Sequence, residues 1–386
     1  MSEWRIAAHP RIAEIDAAEW DRLLACDQPF VRHAFLDALE QSGSVRETLG
    51  WRPWHLCLYQ GDTLRAAAPA YLKNNSHGEF VFDHAWAEAY QRHRLDYYPK
   101  LLIAVPYSPV PGPRLLAGAG AAAASHRRRL LDAITQLVER GGLSSAHINF
   151  PSEAHAAAGA HDPWLPRHDW QFHFESAGAR DFADVLERML PKKRKNIRQE
   201  RDKVRRLGLA LECREGASLS ESELDQIHAL YAQTFERKWN TPALTRRFFS
   251  ELRQRMPESL VLMLAREGDS IVAMALCLRD AECLYGRYWG ALTDLPGLHF
   301  ELCYYQGIEY CLRHGLKRFE PGAQGEHKLA RGFLPKRVRS LHYIAHPGFR
   351  TAIRRNLGEE HAALARYHDA LLAHSPFRSG DPVDHD

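Results

Sequence analysis

Apolar and polar positions in this chain follow two alternating rhythms, and one order of them occurs twice. HLCLYQGDTLRAAAPAYLK (residues 55–73) reads as a strand, a turn at Gly61-Asp62 and a second strand, and LVLMLAREGDSIVAMALCLRD (residues 260–280) repeats that reading around Gly268-Asp269. Gly-Asp between two apolar runs is a hairpin signal, because the first turn residue must adopt a backbone that glycine reaches without strain. The segments after the two hairpins also match. In the first half come a strand, KLLIAVPY (residues 100–107), a loop, SPVPGPRLLAGAG, a helix, AAAASHRRRLLDAITQLVERGG, and a strand, SAHINFP (residues 145–151). In the second half the same places hold ECLYGRYWGA (residues 282–291), LTDLPG, LHFELCYYQGIEYCLRHGL and KRFEPG (residues 317–322). A repeat of this size predicts two copies of one domain. Helical segments precede each hairpin. Among them SESELDQIHALYAQTF opens on a Ser220-x-x-Glu223 cap and carries an apolar stripe of Leu224, Ile227, Leu230, Tyr231 and Phe235. Helices, a hairpin and a strand–helix–strand crossover predict an α/β (α+β) fold in which each half is a mixed, mostly antiparallel sheet flanked by helices. The Pro/His/Trp-rich stretch AHDPWLPRHDW marks the expected boundary, dividing residues 1–165 from 166–386.

Composition narrows the classes. At 386 residues, with 45% hydrophobic and 26% charged positions, the chain is ordinary for a globular protein and long enough for two cores. It holds no apolar run of about 18 residues or more, so no transmembrane helix is expected. Its first residues, MSEWRIAAHPRIAEID, lack the apolar stretch of a secretory signal, which predicts a cytoplasmic protein. The 7 cysteines are scattered without a C-x-x-C pair and the 22 histidines without ligand spacing, so neither a disulfide framework nor a metal site is expected. The net charge is +3, yet residues 190–206, LPKKRKNIRQERDKVRR, hold nine Lys/Arg against two acids. One cationic segment on an otherwise slightly acidic chain suggests a polyanionic ligand.

The order of elements resembles the GNAT acyltransferase fold, and its doubling resembles the Fem-type peptidoglycan aminoacyltransferases. LPKKRKNIRQERDKVRRLGLALE is similar to the Fem-type signature in which a basic helix leads into a strand, here through Arg194, Asn196, Ile197, Arg198, Arg206 and Gly208. HAFLDALEQSG, VPYSPVPGPRLL, KKRKNIRQER, CYYQGIEYC and FEPGAQGEHKLARGF resemble blocks of the FemAB-like bacterial family of peptidoglycan biosynthesis or recognition proteins. The resemblance implies two tandem GNAT-like domains that move an acetyl or aminoacyl group onto an amine carried by a small molecule or peptide. It implies acyl-CoA or aminoacyl-tRNA as donor, and tRNA as an expected partner in the second case. The alternative is a non-catalytic module that recognises tRNA or a cell-wall precursor.

Acyl transfer needs a base for the amine proton and a donor for the developing oxyanion. The loop FEPGAQGEHKLARGF supplies candidates: Glu320, Glu326 and His327 as base, Lys328 and Arg331 as clamps for a substrate carboxylate or phosphate, and Gln324 as an orienting group. On the preceding strand Tyr285, Arg287, Tyr288 and Trp289 stand around Gly286 and Gly290, where glycine suits a bulge or close ligand approach. Simple alternation puts Tyr285, Arg287 and Trp289 on one face and Tyr288 on the other. Tyr304 and Tyr305 on the intervening helix are further substrate contacts. Phosphate-binding candidates are Lys192, Lys193, Arg194, Lys195 and Arg198 of the basic helix, and Gly297 at a helix start. The turn at Gly297 lacks the R/Q-x-x-G-x-G/A pattern of acyl-CoA enzymes, which keeps both donors open. In the first half Asp83, His84, Tyr97, Tyr98, Lys100 and Ser108 form a polar, aromatic stretch suited to an acceptor pocket.

Overall fold

The computed structural model describes residues 3–159, 161–237, 241–323 and 325–378. The chain forms two units, residues 1–169 with 337–366 and residues 170–336 with 367–386. The expected boundary is therefore corrected at its far end. Residues 337–366 return to the first unit, carrying most of the strand Leu334–Ile344 and most of the helix Pro347–Leu372.

In the first unit, β1 (Trp4–His9), β3 (His55–Gln60) and β4 (Thr63–Ala68) form a three-stranded antiparallel sheet, after β2 (Trp51–Pro53) has left for a second sheet. That sheet runs β2, β5 (Ala70–Lys73), β6 (Lys100–Ile103), β7 (Ser145–Asn149), with the end of β14 (Leu334–Ile344) paired antiparallel to β7. β6 and β7 are parallel and joined by the helix Ala123–Gly141, whose Leu130, Leu131, Ile134 and Val138 are buried against the sheet core. Sequence predicts β6 through residue 107, but it stops at Ile103. The chain bends there, with Ala104 N–H bonded to Pro69 O at 3.1 Å and Tyr107 at a φ of 57°.

In the second unit the order is β8 (Leu165–Glu175), β13 (Arg318–Glu320), β12 (Cys283–Ala291), β11 (Ser270–Arg279), β10 (Leu260–Glu267), β9 (Ala210–Glu215). Among the described residues of these six strands only β12 and β13 pair in parallel. Both predicted hairpins form as two-residue turns, Gln60 facing Thr63 and Glu267 facing Ser270. The duplicated order is thus real: hairpin, strand, helix and parallel strand in each unit. The capped helix Glu221–Glu236 begins with the reciprocal Ser220–Glu223 box expected of it. β8, β14 and the helices His84–Arg92 and Pro347–Leu372 have no counterpart in the sequence reading. Among the described residues no helix is long and apolar enough to cross a membrane.

Candidate active site

The site grows from one defect in pairing. β12 is bonded to β13 only where Cys283, Leu284 and Tyr285 face Arg318, Phe319 and Glu320. On its other edge Leu276 faces Tyr288 while Cys277 faces Gly286, so Arg287 is an inserted residue. Such a bulge resets the alternation of side chains. Leu276 and Leu278 share a face and their partners are Tyr288 and Tyr285, so the two tyrosines lie together, with Trp289 opposite Ala275 on the other face. This corrects the expected grouping of Tyr285, Arg287 and Trp289 against Tyr288, which assumed unbroken alternation. A Cβ on Gly286 would stand 3.1 Å from Pro321 Cα, so glycine permits the close approach just before the strands part. Beyond it opens a cleft of about 250 Å³, walled by residues 275–277, 286–289 and 321–323 together with His299, Cys303, Tyr304, His327 and Lys328.

The helical run after Gly297 roofs this cleft. Its middle, Glu301–Tyr305, is π-helical between Leu298–Phe300 and Gln306–Arg313. A π turn inserts a residue and redirects side chains, and such turns are frequent at functional sites. Here Tyr304 Oη meets His327 Nε2 at 2.8 Å, while the adjacent Tyr305 hydroxyl donates to Glu200 on the basic helix, Pro191–Arg205. Arg331 also goes to Glu200, at 2.8 and 3.2 Å, donates to His327 O at 2.7 Å, and stacks 3.5 Å from the Phe300 ring centre. Tyr305 and Arg331 therefore fasten the loop and the roof helix to the basic helix, and neither lines the cleft.

The inward side of the basic helix is structural. Ile197 and Val204 are buried, and Arg201 holds Glu301 and Glu309 at 2.8 and 2.5 Å. A Cβ on Gly297 (φ 84°) would sit 3.3 Å from Val204 Cγ2, so this glycine lets the roof helix start against the basic one. The helix's ion pairs run through Glu200, Arg201, Asp202 and Arg205. Among the described residues none engages Lys192, Lys193, Arg194, Lys195 or Arg198, and Lys192, Lys195 and Arg198 are exposed.

The loop divides its candidates. His327 and Lys328 line the cleft. Burial, then the charges of Arg331 and Lys328, lower the His327 pKa, which keeps its imidazole neutral near pH 7. Lys328 is 3% exposed and donates to Gly322 O at 2.6 Å; burial brings its pKa down to about 8. Glu320 is not a lining residue. It accepts from Arg318 Nε at 2.9 Å, and burial raises its pKa to about 7 against the pull of Arg318. Glu326 is exposed and accepts from Tyr367 at 2.6 Å. Tyr285 likewise does not line the cleft; it donates to Asp280 Oδ2 at 2.7 Å. Gln324 lies outside the described residues. The sequence reading missed His299 and Cys303, whose i, i+4 spacing places both on the helix face that carries the cleft wall.

The corresponding place in the first unit is filled. Past Ile103 the chain returns along β7's continuation, with Gly112 N–H bonded to Phe150 O at 2.9 Å. Arg114, fully buried, spends its guanidinium on the carbonyls of Asn149, Pro113 and Val110. The polar stretch beside it is largely engaged within itself, although Ser108 Oγ and Glu79 Oε1 are buried without a hydrogen-bond partner among the described residues. Lys100 donates to Ser76 and Glu79 at 2.9 Å each and to Asp83, and Tyr97 donates to Asp83 at 2.6 Å. Of that stretch only His84 is exposed, while Tyr98 is half-buried and meets Ser76 Oγ at 2.8 Å.

Two units of this topology, one with an open split between its parallel strands, define a tandem GNAT-like protein. Residues 11–379 match the FemAB-like family, described as peptidoglycan biosynthesis/recognition, and the chain belongs to that family. No curated protein matches the sequence. Among solved structures the fold is similar to a C-terminal domain from Agrobacterium fabrum assigned to lysylphosphatidylglycerol synthetase, at 11% identity and TM-score 0.51 over 90% of this chain and 96% of that one. It is similar to FemX at 10% identity and TM-score 0.51, over 91% and 100% of the two chains. It is also similar to L-PGS from Bacillus licheniformis at 11% identity and TM-score 0.50, over 86% and 98%. At these identities the likeness is one of fold.

Proposed function

We propose that the chain is an N-acyltransferase, with the cleft of the second unit as the place of transfer and an amine of a peptidoglycan precursor as the acceptor. The observation that carries this reading is the split of β12 from β13 after Tyr285 and Glu320, directly beside the His327–Tyr304 pair. An acyl carbonyl lying in the split meets an edge of β12 that β13 has left, where backbone N–H groups are able to hold a developing oxyanion. In the tautomer whose Nε2–H donates to Tyr304, His327 Nδ1 keeps a lone pair for the amine proton. The amine nitrogen bonds to the acyl carbon and its proton passes to His327, and as the bond to the donor's sulfur or oxygen breaks the donor takes up that proton and leaves as a thiol or hydroxyl. Tyr304, whose pKa burial pushes up, stays protonated and orients the ring. The filled counterpart in the first unit favours transfer in the second and leaves acceptor recognition to other surfaces. Family membership supports the peptidoglycan setting, and the unpaired outer cations of the basic helix suit a phosphate-rich donor, either acyl-CoA or aminoacyl-tRNA.

The test is to incubate the protein with acetyl-CoA and, separately, with alanyl-tRNA, each with a panel of peptidoglycan-precursor amines, and to weigh the products by mass spectrometry. An acceptor heavier by the acyl group supports the reading and names the donor. No transfer from either donor, with retained binding of a precursor, favours the recognition module instead.

A further inference from the structure

Among the described residues three lysines are deeply buried, Lys73, Lys100 and Lys328, and the last two show opposite designs. Lys100, in the first unit, is fully buried and lies against two carboxylates, Glu79 and Asp83. Lys328, in the second, is 3% exposed and reaches only a neutral oxygen, Gly322 O, at 2.6 Å. Among the described residues no carboxylate pairs with it, and the cleft it lines contains no Asp or Glu at all. The same walls carry a second cation, Arg287, beside His299 and His327, whose lowered pKa values keep both imidazoles neutral near pH 7. Arg331, the neighbouring cation, has its charge met by Glu200 outside the cleft. A buried charge without a counterion is costly unless a ligand completes it.

From this geometry we infer that the cleft takes a ligand bearing an anionic oxygen group, a carboxylate or a phosphate monoester, seated on the Lys328 ammonium. The inference deepens the acyltransferase reading by naming the charge class of its substrate: the acceptor amine or the acyl group travels with an anion close by. A simple cationic amine would enter a wall of like charge, whereas an amine paired with a carboxylate or phosphate would not. The positive wall has a second consequence, since it favours the neutral form of an incoming amine, which is the nucleophilic form.

The test uses binding and needs no turnover, so its failure is separable from failure of the acyltransferase reading. Affinities of N-acetylglycine, methyl phosphate and the uncharged N-acetylglycinamide are measured by ligand-observed NMR at low ionic strength. The wild type is expected to prefer at least one charged probe over the amide by roughly tenfold or more, the ordinary worth of a hydrogen bond to a charged group. The preferred probe tells carboxylate from phosphate. Lys328→Met should abolish the preference and Lys328→Arg restore part of it. A variant with Lys192, Lys193, Arg194 and Lys195 all replaced by alanine should keep it, which excludes the basic helix as the binding place. Equal affinity for the amide in the wild type, or a preference that survives Lys328→Met, overturns the inference.

Discussion

Lys328 weakens the fold it sits in. Burial takes its pKa from the ordinary 10.5 to about 8, which corresponds to roughly 3 kcal/mol at about 1.4 kcal/mol per pKa unit. The unfolded chain is the state that binds the proton first. As pH falls below 10.5 it gains that proton, the folded chain resists until about 8, and stability is lost across that window. Lys328→Met should therefore be more stable than the wild type at pH 7, by up to roughly 3 kcal/mol in urea titrations, with the gap shrinking toward pH 10. A variant less stable than the wild type at pH 7 would mean that the lysine has a stabilising partner. The chemistry of this loop was legible in the sequence, but its allocation was not. His327 and Lys328 line the cleft, whereas Arg331 is taken by Glu200, 131 positions away, and Glu326 by Tyr367, 41 positions away. Partners so distant along the chain leave no local trace in composition.

Hairpins, caps and the basic helix are visible as elements because their signals are local. Gly61-Asp62, Gly268-Asp269 and the Ser220–Glu223 box each act within a few residues and form as read. The bulge at Arg287 and the π turn at Glu301–Tyr305 are products of packing against other elements, so strict periodicity misplaces the side chains around them. The basic helix shows the two kinds of residue on one element. Glu200 and Arg201 bind the roof and the loop, while Lys192, Lys195 and Arg198 face outward. Replacing Lys192, Lys193, Arg194 and Lys195 together by alanine should change the unfolding midpoint little, since exposed charges contribute only about 0–1 kcal/mol each. The same variant should bind a phosphate-rich donor more weakly at low salt, with a shallower dependence of log K on log salt. Donor affinity unchanged across a salt series would return this face to the role of a solvated surface.

At the scale of the whole molecule, duplication was readable and the exchange of its ends was not. The repeated strand–helix–strand order announces two units, yet nothing in the sequence of residues 337–366 says that they complete the first. Their contribution is physical: Ser340–Ile344 pairs with β7, and Ile353 and Leu357 pack with Trp86, Tyr90 and Tyr97. A fragment of residues 1–169 should accordingly fail to give a cooperative thermal transition, and fusing residues 337–366 to it through a flexible linker should restore one. Cooperative unfolding of residues 1–169 alone would contradict the division described. The reading of the second unit stands or falls on whether the amine is acylated in the split between β12 and β13, with His327 taking its proton. The decisive quantity is kcat of His327→Ala, with Tyr304→Phe beside it, on the donor and acceptor that the wild type uses. A general base at this position predicts a loss of roughly 10²–10⁴-fold in kcat for His327→Ala, with donor affinity nearly unchanged. Full kcat in His327→Ala, with the protein folded and the donor bound as before, would show that the proton goes elsewhere.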